Sequence, residues 1–373
     1  MSSEQIRIGV VLMNLGGPTS TGAVKPFLYN LFSDTDIIKL GGGRVQEGLA
    51  RTISKFRSPK VGENYKKING CPNGCMGSKY CPNRKNKEVS DGCSPINSLT
   101  EAQRRALEKH LNNEYPEVSF KVYTAMRYWI PFAGTIMDEM REDGITHTVF
   151  LPLYPHFSWT TSGSSFRDWE QVKKQQKEEG KAFPWSEYHI RNYHLNKSYL
   201  SAINQRIDEA LTSLGDVDRS RIHLVFSAHG TPVSEVESGD PYTKEIEETV
   251  KAVMATRSDK ESYWLSYQSR VGPAKWTQPN TVDLVKRLCD YGVKNFVMIP
   301  VAFVTDHIET LSELNIELRE DLESEGYEIE NLVVMPGLND HPDFIKALSE
   351  EVIHKIGHLF PEEQNKIETD SVS

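Results

Sequence analysis

"NFVMIPVAFVTDHIETLSELNIELREDLESEG", residues 295–326, holds both halves of the architecture in one stretch. After Asn295 its residues 296–304 are continuously apolar, as a strand buried on both faces must be. From 308 to 326 the pattern turns amphipathic, with Leu311, Leu314 and Leu318 marking an apolar helix face. A doubly buried strand followed by a helix is half of a parallel-sheet unit. The couplet recurs outward in both directions. Strands read over 6–17, 120–128, 147–155, 221–230, 263–269 and 330–338. Between them, helical patterns run over 23–32, 48–56, 98–111, 132–143, 164–179, 197–214, 241–257, 281–292 and 343–360. Ser98 and Glu101 give the third helix a capping-box start. The pattern predicts an α/β chain with parallel sheets covered on both faces. About eight strands fit one large sheet or two of four, and two similar halves with a cleft between them suit the length better.

The chain has 373 residues and a formal charge of −9, the wrong sign for a phosphate-binding surface, so nucleic acid is not an expected partner. Its longest apolar run, 296–304, has strand length, well short of the roughly 18 residues that span a bilayer. The N-terminal segment "MSSEQIRIGVV" reads as neither a secretory signal nor an organellar leader. A cytoplasmic chain is expected, with peripheral attachment to a membrane left open.

In parallel sheets, ligands sit beyond the carboxyl ends of the strands. Three such ends carry unusual chemistry. "FSAHG" places His229 directly before Gly230. A lone histidine there also suits a plain hydrogen bond to a loop carbonyl. "VTDHIETLSE" packs Asp306, His307, Glu309 and Glu313 into eight residues. Asp306 and Glu309 equally suit an N-cap with its N3 partner, and Glu309, Glu313 and Glu317 suit a solvated acidic face. "AMRYW" supplies Arg127, Tyr128 and Trp129, and the hydroxyl-rich "SWTTSGSS" (158–165) lies near the same rim. A histidine and an acidic cluster ending two separate strands can accept protons, pass them on or hold a divalent cation. The aromatic and hydroxyl surroundings suit a flat, mostly apolar ligand with anionic edges.

Four of the five cysteines, Cys71, Cys75, Cys81 and Cys93, fall in one polar segment, "NGCPNGCMGSKYCPNRKNKEVSDGCSP" (69–95). A chain this large needs no disulfides, and clustered thiols in a reducing compartment point to metal. The spacing lacks paired C-x₂-C knuckles, so zinc and an iron–sulfur cluster both stay open. Cys289, on an apolar helix face, reads as core packing.

Several strings together resemble one family. They are "GVVLMNLGGP", "FRSPKVGENYKKI", "CSPI", "MRYW", "YPHFSWTTSGSS", "FSAHGTPVSEVESGDPY", "YQSRVGPAKW" and "PVAFVTDHIETLSELNIE", in order over roughly residues 7–358. The combination resembles the ferrochelatases, which insert Fe²⁺ into a porphyrin at the end of haem synthesis. The resemblance implies two Rossmann-like domains, each a four-stranded parallel sheet flanked by helices. Their expected bounds are 6–160, with a cysteine-rich insertion at 68–94 and completed by the C-terminal helix 342–360, and then 161–340. Residues 361–373 are expected to form a disordered tail.

By the same resemblance, His229 accepts pyrrole protons or touches the metal on one porphyrin face. Glu309 is the opposing carboxylate, also in reach of the substrate iron, with Asp306, His307 and Glu313 continuing an acidic path. Its carboxylate neighbours are expected to raise the Glu309 pKa towards neutrality. Arg127 and Tyr128 match the pair on the other wall, on the side proposed for the approach of iron. Arg57, Tyr65 and Ser94 match propionate contacts; Leu15, Trp276 and Phe303 match apolar ring contacts, and Ser269 lies among the substrate contacts. The run before "SPI" departs from the family here, with Asp91 and Cys93 where glycines are usual. Some relatives hold a [2Fe–2S] cluster through four cysteines in one internal segment, and four thiolates suit such a site; structural Zn²⁺ is the alternative. The sequence ends without the C-terminal extension through which relatives dimerise, so a monomer is expected. Protoporphyrin is the expected substrate. A coproporphyrin-specific enzyme, a non-catalytic haem or metal carrier and, on "NLGGP" alone, a nucleotide-binding protein are the other readings; that string lacks the G-x-G-x-x-G spacing.

Overall fold

The computed structural model describes residues 6–37, 43–68, 94–257, 261–269 and 274–360. Cys71, Cys75, Cys81 and Cys93 and the C-terminal tail lie outside the described residues. The chain begins β1 (Arg7–Asn14), α1 (Thr21–Ser33), α2 (Gly43–Lys67), α3 (Pro95–Glu114), β2 (Ser119–Met126), α4 (Ala133–Glu142), β3 (His147–Pro152), α5 (Ser162–Glu178) and β4 (Ser186–His189). It continues α6 (Lys197–Thr212), β5 (Ile222–His229), α7 (Val233–Glu237), α8 (Tyr242–Ala255), β6 (Ser262–Gln268), α9 (Thr281–Asp290) and β7 (Asn295–Pro300). A π-helical segment, Glu309–Glu317, runs directly into α10 (Leu318–Ser324), and β8 (Asn331–Val334) and α11 (Pro342–Ile356) follow.

Two four-stranded sheets result, in the orders β2-β1-β3-β4 and β6-β5-β7-β8, with every pair parallel. The central strands are the continuous apolar runs. All six residues of β7 are buried, as are the last seven of β1. Helices cover both faces, as parallel sheets require.

The first sheet extends past the expected boundary at residue 160. β4 pairs with β3 from His147↔Ser186 to Phe150↔His189, so the segment up to 189 belongs to the first sheet. β4 escapes the sequence pattern because it is a four-residue edge strand, "SEYH", with no apolar run. Its place is secured by packing from α5, where Phe166 meets His189 edge-on at 5.0 Å and Lys173 pairs with Glu187. Phe344 of α11 meets Tyr193 and Tyr199 around the start of α6, and Phe360 just beyond α11 meets Tyr115 and Phe120 of the first half.

Helix starts also differ from the sequence pattern. α3 begins at Pro95 with Ser94 as its N-cap residue, so Ser98 and Glu101 form no capping box. Proline at the first helical position has no N–H to leave unpaired. Ser98 Oγ instead donates to the Pro95 carbonyl, and Glu101 pairs with Arg104 and Arg105. α2 is longer than expected because Pro59, which reads as a stop, is carried inside the helix. On the π-helical segment and α10, Leu314 and Leu318 enter the core of the second half with Leu322, whereas Leu311 stays half-buried. Cys289 packs partly buried against that same cluster.

Candidate active site

The turn after β5 is pressed onto the end of β6. The Gly230 N–H donates to the Gln268 carbonyl at 2.7 Å. A Cβ at position 230 would sit 2.9 Å from the Ser269 carbonyl oxygen, so only glycine fits. This turn fixes His229, whose Nδ1 lies 2.6 Å from the Gly230 carbonyl oxygen. A carbonyl only accepts, so Nδ1 carries a proton and Nε2 is the nitrogen left to exchange the other. The ring lies 6.5 Å from both Trp276 and Phe303, an apolar setting for a base.

Phe303, beyond β7, packs against His307 at 4.6 Å. The buried His307 has an acceptor at each nitrogen. Nδ1 faces the Thr305 carbonyl at 2.8 Å, and Nε2 contacts a carboxylate oxygen of Glu309. With Nδ1 as a donor, the His307–Glu309 contact holds one proton between them. Burial alone would lower the His307 pKa, but the adjacent carboxylate outweighs it and the pKa rises. Glu309 moves the opposite way. Burial would raise it, yet His307, and then His229, hold it below the usual carboxylate range. The expected upward shift therefore falls one step along, on Glu313, which burial and then the Glu309 charge push up to about 7. An imidazolium neighbour decides which of the two carboxylates stays ionised.

Glu309, Glu313 and Glu317 share the π-helical segment, and such segments concentrate at functional sites. Glu313 accepts a hydrogen bond from Ser269 Oγ at 2.8 Å. Ser269 has φ +61°, a left-handed conformation uncommon for a non-glycine residue. Glu317 Oε1 accepts from Ser312 Oγ and from Asn64 Nδ2 of α2, both at 2.8 Å. Lys67 of α2 also reaches Glu320 at 3.3 Å, so α2 is tied across to the second half beside the acidic row. Glu313 and Glu317 line a small cavity with Gln268, Ser269 and Thr281.

Asp306 is turned away from this row and is not an N-cap. Its oxygens accept from Thr310 Oγ1, the Gly337 N–H and Asn339 Nδ2 at 2.9–3.1 Å. It thereby fastens the loop after β8 beneath the π-helical segment.

The other wall comes from the ends of β1 and β2. Leu15 and Trp129 lie half-buried against the α1–α2 core that contains Tyr128 and Tyr65, and Ile308 from the second half joins the same cluster. Arg127 lies over the Tyr128 ring at 4.9 Å. Tyr154 sits between the walls. Its phenol is raised by burial and by Glu309, while Arg127 and a hydrogen bond to Ser165 oppose that. No single-residue signal marked Tyr154, although it stands in the "YPHFSWTTSGSS" string.

Of the anticipated propionate contacts, Arg57 is exposed on α2 with its guanidinium 5.5 Å from the Phe32 ring. Tyr65 and Ser94 are 3% and 1% exposed. Gly17 approaches Ser94 so closely that an added Cβ would fall 2.5 Å from the serine Oγ. The glycine turn after β1 is thus filled by packing, which leaves no phosphate cradle for a nucleotide.

The ferrochelatase family pattern matches residues 7–74 and 80–356, interrupted inside the cysteine segment. The chain belongs to the ferrochelatase family. It is accordingly an enzyme that places a metal ion in a porphyrin. It is 43% identical over 352 residues to the ferrochelatase of Gloeothece citriformis, covering 94% of this chain and 83% of that one. It is 42% identical over 348 residues to that of Nostoc punctiforme, covering 93% and 82%. Among solved structures, the sirohydrochlorin chelatase SirB of Bacillus subtilis subspecies spizizenii with cobalt aligns over 96% of this chain and 98% of its own. At a TM-score of 0.49 and 10% identity that likeness carries no weight, and the fold rests on the strand orders above.

The Glu313 shift sets a pH test. Its folded pKa, about 7, lies above the ordinary value of 4.5, so its contribution to stability is full below pH 4.5 and lost as pH rises through 7. Glu313→Gln should therefore melt like the parent near pH 4.5 and gain about 3 kcal/mol over it at pH 8. Thermal melts across that range check the sign; equal melts at pH 8 would refute the shift.

Proposed function

We propose that this chain inserts Fe²⁺ into protoporphyrin IX, with His229 and Glu309 working on the two faces of the macrocycle. One observation carries the reading. An imidazole whose Nδ1 is committed to a carbonyl, leaving Nε2 to exchange a proton, and a carboxylate held ionised in part by that imidazole come from separate strand ends beside Trp276 and Phe303. The named relatives carry the plain name ferrochelatase, which favours the protoporphyrin reading over the coproporphyrin one.

The porphyrin must lose two N–H protons as the metal enters. His229 Nε2 is the acceptor for the first, since Nδ1 is committed to the Gly230 carbonyl. Glu309 faces the iron, and its proton traffic passes to Glu313, whose pKa near 7 lets it take and release a proton at neutral pH. Phe303, Trp276 and Leu15 exclude water and press on the ring plane, so binding energy from the rest of the macrocycle can bend it and expose the pyrrole lone pairs. Arg127 and Tyr128 form the wall past which iron approaches. Arg57 is the exposed cation suited to a propionate; Tyr65 and Ser94 act from behind it as buried supports for the α1–α2 lip.

His229→Ala should abolish metal insertion, a loss of at least about 100-fold, while porphyrin binding and the melting temperature stay near the parent values. Near-normal turnover would remove His229 as the base. A carrier without catalytic function would bind porphyrin equally well in both forms and insert metal in neither.

Cys71, Cys75, Cys81 and Cys93 would hold a [2Fe–2S] cluster, in keeping with four thiolates in one short segment and the break in the family match there. When bound, the cluster would supply electron-transfer chemistry or rigidity to the segment; none of the steps above depends on it. Cys81→Ser should bleach the visible absorbance of anaerobically purified protein, and a colourless, iron-free parent would defeat the cluster in favour of zinc.

The chain is read as a cytoplasmic monomer that touches a membrane through α2. Among the described residues no helix is long and apolar enough to cross a bilayer. The outer face of α2 exposes Val45, Leu49 and Phe56, the last at 75%, between Arg44, Arg51, Lys55 and Arg57. Apolar side chains framed by cations suit an anionic lipid surface. Phe56→Asp should weaken sedimentation with anionic vesicles several-fold without changing turnover on soluble porphyrin. Equal sedimentation would refute the contact.

A further inference from the structure

In the sequence Arg127 is a lone cation beside a tyrosine. The fold surrounds it with acids that no motif marked. Asp34, one residue beyond α1, is 6% exposed at its side chain and reaches the end of β2 from 93 positions away. Its Oδ2 accepts three hydrogen bonds: from Arg127 Nη2 at 2.8 Å, from the Tyr128 hydroxyl at 2.5 Å and from Ser164 Oγ at 3.0 Å. Its Oδ1 accepts the Asp36 N–H at 2.9 Å. Ser164 in turn accepts from Arg127 Nε at 3.0 Å, and Asp168 pairs with Arg127 Nη1 at 3.2 Å. Asp36 is taken up by Arg167 at 2.8 Å.

Three donors on one buried carboxylate oxygen leave Arg127 and Tyr128 a single arrangement. The arrangement also fixes the charge of the wall. A guanidinium without a partner would repel an approaching divalent cation over several ångströms in a partly desolvated cleft. Here that cation meets carboxylates at two of its nitrogens.

We propose that Asp34 is a positioning residue for iron insertion: it locks the Arg127 guanidinium and the Tyr128 phenol in place and, with Asp168, cancels the Arg127 charge along the approach of the metal. This rests on the reading of Arg127 and Tyr128 as the wall that iron passes. Asp34 acts through that pair and touches no substrate itself.

Steady-state metallation by the full chain, with Fe²⁺ and porphyrin varied separately, tests it in four proteins: the parent, Asp34→Asn, Arg127→Gln and the double variant. Asp34→Asn keeps the shape and removes the charge. It should raise KM for Fe²⁺ by about tenfold and leave KM for porphyrin within about twofold. Added salt should narrow the difference. The double variant, with both charges gone, should bring KM for Fe²⁺ back to within about threefold of the parent. Should Asp34→Asn fail to fold, Asp168→Asn carries the same expectation. An unchanged KM for Fe²⁺ in Asp34→Asn would overturn the proposal. So would equal losses for both substrates with a lower melting temperature and no recovery in the double variant, the pattern of a merely structural residue. If Arg127→Gln alone leaves KM for Fe²⁺ untouched, the reading of the wall itself fails.

Discussion

The imidazole of His307 is caught, nearly buried, between two acceptors, the Thr305 carbonyl and the Glu309 carboxylate. The rest of the site follows from that constraint. A buried carboxylate ordinarily rises in pKa, and two in a row rise further. Here the imidazole takes the charge of Glu309 as its own partner, so Glu309 stays ionised and the penalty of crowding passes to Glu313. One side chain is left to meet a cation and the next to exchange a proton near neutral pH. The division of roles comes from their environments, since the two residues are chemically identical.

Holding that arrangement takes contacts from elements far apart in the chain. Asp306 ties the loop after β8 beneath the π-helical segment, and Ser269 holds Glu313 from a left-handed backbone conformation at the end of β6. Asn64 and Lys67 reach across from α2 to Glu317 and Glu320. Gly230 lets the β5 turn press against the end of β6, and this close approach aims His229. Strain of this kind persists where the surroundings over-determine it, and it gathers at sites that must be rigid before substrate arrives.

The sequence placed the strands with apolar runs correctly, since burial on both faces leaves a continuous signature. It lost β4, whose four residues are polar at the sheet edge and depend on β3, Phe166 and Lys173 for their place. It placed a capping box at Ser98 because Ser and Glu at that spacing are common within helices as well as at their starts; Pro95 had already begun the helix. At the site, His229, His307, Glu309 and Glu313 were legible from their positions at strand ends. Asp34 and Tyr154 were not. An aspartate after a helix and a tyrosine before a proline are ordinary in sequence, and only the packing of α1 and α5 against β2 gives them partners.

What the sequence determined by itself was local and periodic: parallel sheets, a two-part chain, and which strand ends carry titratable groups. Those follow from side-chain burial repeated over neighbouring residues, which a linear pattern records. The tertiary structure decided the charges. Whether Glu309 or Glu313 holds a proton depends on how burial and the π-helical turn set His307, Glu309 and Glu313 against one another, and whether Arg127 presents a bare cation or a neutralised one depends on Asp34 and Asp168, dozens of positions away. Coulomb's law is set by distance in space, and the chain order does not contain it.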